Sequence, residues 1–176
     1  MKKFILLMVC SLMFACSNTY KKPIPLANDV NLNRFMGDWY VIANIPTFIE
    51  KGAHNAIENY AMNDDGTINT TFTFYKDGFD GELKTYNPTG YVSEETNSLW
   101  GMQFIWPFKA EFIIAHVGND YQNTIIARNA RDYIWIMART PKINDKTYQE
   151  LIQLSTDMGY DPFLIQHVPQ RWKNKP

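Results

Sequence analysis

From residue 38 onward the hydrophobic and polar positions fall into short runs rich in β-branched and aromatic residues, broken by turn residues at intervals of about ten to fifteen. Eight runs fit strands: residues 39–46, 56–63, 67–75, 82–93, 98–106, 111–117, 123–129 and 133–140. The links between them are tight. Asp64-Asp65-Gly66 is a strong hairpin signal, and Gly118-Asn119-Asp120 and Ala130-Arg131-Asp132 are short polar turns. Consecutive strands on short links must lie antiparallel, and eight strands meandering in this way close into an up-and-down β-barrel that leaves no free edge. The fold class expected is therefore all-β. One helix follows: Asn144 is placed to cap it, Tyr148, Leu151, Ile152, Ser155 and Met158 recur at helical spacing, and Gly159 is placed to end it. With a single apolar stripe, this C-terminal helix packs on the outside of the barrel. Residues 163–167 offer a short final strand.

The start of the chain has a different texture. Lys2 and Lys3 precede an apolar stretch from Phe4 to Phe14 that ends at the small Ala15, which reads as an export signal too short for a comfortable membrane span. Both cysteines of the chain, Cys10 and Cys16, lie in this region, so no disulfide staples the body. Cleavage after Ala15 makes Cys16 the new N-terminus. That arrangement resembles the lipobox of bacterial lipoproteins, although Met13 and Phe14 stand where that pattern has leucine and a small residue. It implies a diacylglycerol thioether and an N-acyl chain on Cys16, and Ser17 resembles the outer-membrane sorting pattern of Gram-negative envelopes. Bulky Val9 makes Cys10 the poorer candidate. The domain reading is a signal peptide at 1–15, a lipidated tether at 16–31, polar and without periodicity, and a barrel domain at 32–176.

Composition narrows the functions. Hydrophobic content of 45% with 15% aromatic suits one domain with a sizeable core, and the processed chain carries 15 basic and 18 acidic residues, a net charge of −3. No basic stripe or recognition-helix pattern points to nucleic acid. Nucleophile elbow, zinc-protease, phosphate-loop and Cys-x-x-Cys motifs are all missing, and the paired acids Asp64/Asp65 and Glu94/Glu95 fall in turns, where solvated carboxylates are the rule. The histidines, His54, His116 and His167, are too scattered to suggest a metal site. No cofactor and no enzymatic activity are expected.

Three motifs carry a family resemblance. Asn33-Arg34-Phe35-Met36-Gly37-Asp38-Trp39-Tyr40 resembles the Gly-x-Trp motif that opens the first strand of lipocalins. Asn119-Asp120-Tyr121 resembles the family's Thr-Asp-Tyr, and Arg139, ending Trp135-Ile136-Met137-Ala138-Arg139-Thr140-Pro141, matches its third motif. Trp106-Pro107-Phe108 and the segment after it are similar to the bacterial outer-membrane lipoprotein branch. Gly37, Trp39, Asp120, Tyr121 and Arg139 are then structural, with the Arg139 guanidinium over the Trp39 indole at the closed end of the barrel. If these two residues point inward, period two sends Val41, Ala43 and Ile45 inward on the first strand, and Tyr133, Trp135 and Met137 on the last. Phe112, Ile114 and His116 share one strand face and complete the candidate cup lining.

The resemblance implies an outer-membrane lipocalin, anchored through Cys16, that stores or transports a fatty acid or lysophospholipid in envelope maintenance under stress. A homodimer is compatible with the sequence. Two rival readings are a lipid-processing enzyme on the same barrel and a haem or bilin carrier using His116.

Overall fold

The structure, a computed structural model, describes residues 22–172. Cys16, the signal segment and the first part of the tether lie outside the described residues. A four-residue helix, α1 (Leu32–Phe35), leads into β1 (Gly37–Ile45), β2 (Ala53–Met62), β3 (Ile68–Lys76), β4 (Leu83–Tyr86), β5 (Thr89–Val92), β6 (Leu99–Ile105), β7 (Phe108–Val117), β8 (Asn123–Ala127) and β9 (Ile134–Ala138). Helix α2 (Asp145–Asp157), a 3₁₀ turn (Pro162–Leu164) and β10 (Gln166–His167) follow. All pairings are antiparallel between neighbours, and β1 pairs with β9, which closes the sheet. The strands β4 and β5 are two arms of one barrel strand, both paired with β3 and interrupted at Asn87-Pro88, where proline has no N–H to give the ladder. Counted so, the barrel has the eight strands expected from the alternation.

Two apolar layers result from the alternation. Phe35, Trp39, Val41, Tyr60, Phe74, Trp100, Ile114 and Met137 fill the lower barrel interior. On the outer wall Ala43, Ile113, Ala115, Ile125, Ile134 and Ile136 receive Leu151 of α2 and Tyr160 beyond it. The Asn144 side chain caps α2 by accepting from Thr147 N at 2.8 Å, and Gly159 leaves the helix at φ +89°, a conformation that favours glycine. Among the described residues no helix is long and apolar enough to cross a membrane.

Residues 22–31 correct the reading of a tether that runs freely to residue 31. Ile24 and Val30 are buried, Ile24 N donates to Asn129 Oδ1 at 2.8 Å, and Ala27 N donates to the Ile114 carbonyl at 2.8 Å. Isolated apolar residues among the prolines and polar positions were enough to pin this segment to the wall without any periodicity. Its start lies at the open rim, where the Lys22 carbonyl accepts from Arg131 in the β8–β9 turn.

The closed end is built around Trp39, which is fully buried and donates from Nε1 to the Phe35 carbonyl at 2.8 Å. Arg139 lies 3.8 Å over its ring. Gly37 takes φ +92°, and a Cβ there would sit 3.5 Å from the Arg139 guanidinium. Trp39→Ala should therefore destabilise the protein by about 3 to 5 kcal/mol, as for other buried tryptophan truncations. Urea denaturation measures this directly, and an unchanged midpoint would mean that the closed end does not depend on Trp39.

Candidate functional site

At the other end the barrel stays open. A cavity of about 430 Å³ enters from the rim, within the range of small-molecule sites. Strands β3, β6 and β7 contribute Phe72, Met102, Phe104 and Phe112 to its wall, Tyr86 closes one side from β4, and Tyr133 and Trp135 close another. The β1–β2 loop contributes Thr47, Phe48, Ile49 and Glu50. Most of this surface is apolar.

Three carboxylates interrupt it: Glu58, Glu50 and, from β7, Glu111, which accepts from Asn129 N and Nδ2 at 2.7 Å each. Glu58 projects from β2 into the barrel in phase with the buried Ala56 and Tyr60, and the Tyr60 hydroxyl donates to it. Burial pushes the Glu58 carboxyl up to about 7; the Tyr60 hydrogen bond opposes this, and the charge of Glu50 adds to it. Glu50 is buried in the loop at the mouth, where it accepts from Thr47 N at 3.0 Å and from Trp135 Nε1 at 2.9 Å. Burial raises its pKa too, against those hydrogen bonds. The loop is thus latched to β9. Cationic charge reaches the site only at the rim, where Arg128 pairs with Asp132 at 3.2 Å and lies 5.4 Å over Tyr133. The Arg128 Nε is buried without a hydrogen-bond partner among the described residues.

The residues expected to line the cup separate into three groups. Phe112, Tyr133 and Trp135 face the cavity. Val41, Ile114 and Met137 lie in the packed interior without reaching the open volume. Ala43, Ile45 and His116 are corrections, because they face outward. The register shifts between Val41 and Ala43 against β9, and between Ile114 and His116 against β8. Each is a β-bulge whose extra residue reverses the facing of the side chains beyond it. Ala43 and Ile45 consequently pack in the outer layer, and Asn44 turns inward to lie 3.5 Å from Glu50. His116 shares an outer groove with Leu154 of α2, with its Nε2 3.2 Å from Asn123 Oδ1; burial lowers its pKa, and Asn123 opposes this. It cannot hold a haem inside the cup.

The structural motif residues gather at the closed end. Tyr121, in the β7–β8 turn at φ +62°, accepts from Asn31 N at 2.8 Å and carries Arg34 over its ring at 4.0 Å, while Asp120 Oδ1 accepts from Gln122 N at 3.0 Å. Sequence reasoning missed Glu50, Glu58, Phe72, Tyr86 and Met102. Glu58 left a trace, since Ala56, Glu58 and Tyr60 alternate on one face; Glu50, in a loop, left none.

Barrel, plug and apolar mouth together define a class of cup-shaped binding proteins. The lipocalin-like domain family matches residues 30–170, and the chain belongs to the lipocalin family. It is 30% identical over 159 residues to temperature-induced lipocalin-1 of Arabidopsis thaliana, covering 86% of each chain. It is 27% identical over 151 residues to the outer membrane lipoprotein Blc of Citrobacter freundii, covering 85% of each. Among solved structures, insecticyanin from the tobacco hornworm Manduca sexta superposes with a TM-score of 0.67 at 14% identity, over 88% of this chain and 87% of that one. Such cups hold small lipophilic molecules.

The buried acid gives the cup a pH dependence of definite sign. A carboxyl whose pKa is raised on folding binds its proton more tightly in the native state, so its stabilising contribution is complete below about 4.5 and lost as pH rises to about 7. The full swing is on the order of 3 kcal/mol. Glu58→Gln should raise the melting temperature at pH 8 and flatten the slope between pH 5 and 7, leaving only what Glu50 contributes. A variant that melts lower than the parent at pH 8 would mean that the fold favours the ionised form of Glu58, against the raised pKa.

Proposed function

We propose that the protein is an outer-membrane lipocalin, anchored through an acylated Cys16, that holds one long-chain amphiphile, a fatty acid or lysophospholipid, with the chain in the cup and the head group at the rim. The observation that carries this reading is the apolar cavity, with the carboxyl of Glu58 buried inside it and the one cationic group of its lining among the described residues, the Arg128 guanidinium, at the rim beside Asp132. An anionic head group inserted first would meet Glu58 and Glu50. Left at the mouth, it meets the partly exposed guanidinium of Arg128. Envelope maintenance under stress is the role proposed for such a carrier, by binding and hand-over with no covalent chemistry.

The energetics suit an acyl chain. A sixteen-carbon chain gains about 12 kcal/mol at 0.8 kcal/mol per buried methylene, before association entropy and incomplete burial remove several. Micromolar affinity needs only about 8 kcal/mol.

In a titration followed by Trp135 fluorescence, affinity for fatty acids should rise about tenfold for every two methylenes that gain full burial. Arg128→Gln should weaken a fatty acid about two- to fivefold and leave the alcohol of equal length unchanged, as for a rim ion pair. Affinity independent of chain length would sink the cup-filling reading. Localisation is tested separately. Cys16→Ser should move the protein from the outer-membrane fraction to the soluble one, and a variant that still sediments with membranes after a high-salt wash would rule out an acyl anchor at this residue.

A further inference from the structure

The mouth of the cup carries the largest concentration of exposed aromatic surface on the described chain. Phe104, Ile105, Trp106 and Phe108 occupy the β6–β7 hairpin at 51, 73, 82 and 76% exposure, and Phe48 across the mouth is 81% exposed. Phe48, Phe104 and Ile105 also line the cavity, so the patch is continuous with the interior of the cup. Contiguous apolar surface of this kind is rare on a soluble protein unless it meets an apolar partner.

Where the chain leaves the fold indicates that partner. Running back toward the N-terminus, the segment climbs the outer wall to the open rim, and Lys22 is held there by Arg131. Lys22 lies six positions after Cys16, a reach of about 20 Å at full extension. An acyl anchor on Cys16 therefore emerges at the same end as the aromatic hairpin. It holds the mouth near the bilayer and leaves too little chain to turn the closed end toward it.

We propose that the rim of Trp106, Phe108 and their neighbours docks into the interface of the phospholipid bilayer that carries the anchor, so that an amphiphile passes between bilayer and cup without crossing water. Tryptophan suits this depth, with an apolar ring and one N–H donor for the headgroup layer. The orientation rests on the proposed acylation of Cys16, whereas the affinity of the rim for lipid does not.

The test therefore uses the unacylated chain from Ser17 onward, which keeps every residue of the fold. Flotation with phosphatidylethanolamine/phosphatidylglycerol vesicles should carry this protein upward. The double variant Trp106→Ser/Phe108→Ser should partition at least tenfold less into the vesicles. Neither residue lines the cavity, so binding of a sixteen-carbon fatty acid in solution should be unchanged. Docking is overturned if the parent does not float, or if the variant floats equally well. It is overturned too if the parent forms a concentration-dependent dimer that the variant loses while vesicles bind neither, since a second copy then covers the rim. A parent that floats but binds no fatty acid upholds docking and removes the carrier reading instead.

Discussion

The rest of the barrel depends on how Arg139 closes one end. Its guanidinium donates to the carbonyls of Asp38 and Arg34 at 2.7 Å each and of Phe35 at 3.1 Å, while its face covers Trp39. A helix of four residues has no stability of its own and ends with carbonyls that nothing within it satisfies. Arg139 follows the last barrel strand, so one side chain joins β9 to β1, to α1 and, through the Tyr121 carbonyl at 3.4 Å, to the β7–β8 turn. Burial brings its pKa down to about 10, with Asp38 and Tyr60 opposing the fall, and the group keeps its charge at neutral pH. Lysine has no planar fork with which to bond several carbonyls while stacking on an indole. With the floor fixed in this way, eight strands make a cup instead of a tube.

The strands were legible because a wall that is wet on one side and dry on the other must alternate. The facing of side chains was legible only as far as the first irregularity. On β1 the pattern reads correctly through Val41, then fails at Ala43 and Ile45; on β7 it holds through Ile114 and fails at His116. Both bulges absorb an apolar residue, Ile42 and Ala115, and an apolar residue is no signal where the outer wall is itself covered by a helix. Glu58 was readable in principle from its phase with Ala56 and Tyr60. Glu50 was not, because its burial comes from the way a loop folds back over the mouth.

The two bulges also explain how one wall serves two purposes. Each leaves an alanine, Ala43 or Ala115, in the outer layer beneath α2 and its flanking residues. Small residues there let the helix stripe approach the strands closely, which larger side chains in regular register would prevent. On β1 the same phase change turns Asn44 inward, toward the Glu50 that latches the mouth loop to Trp135. One extra residue therefore sets both the seat of the outer helix and the polar partner of the loop at the mouth. A deletion that restored ideal pairing would return Ala43 and Ile45 to the cup and point Asn44 at α2, exchanging a satisfied carboxylate inside for an amide against an apolar helix. The irregularity is what lets the outer wall and the cup be satisfied together.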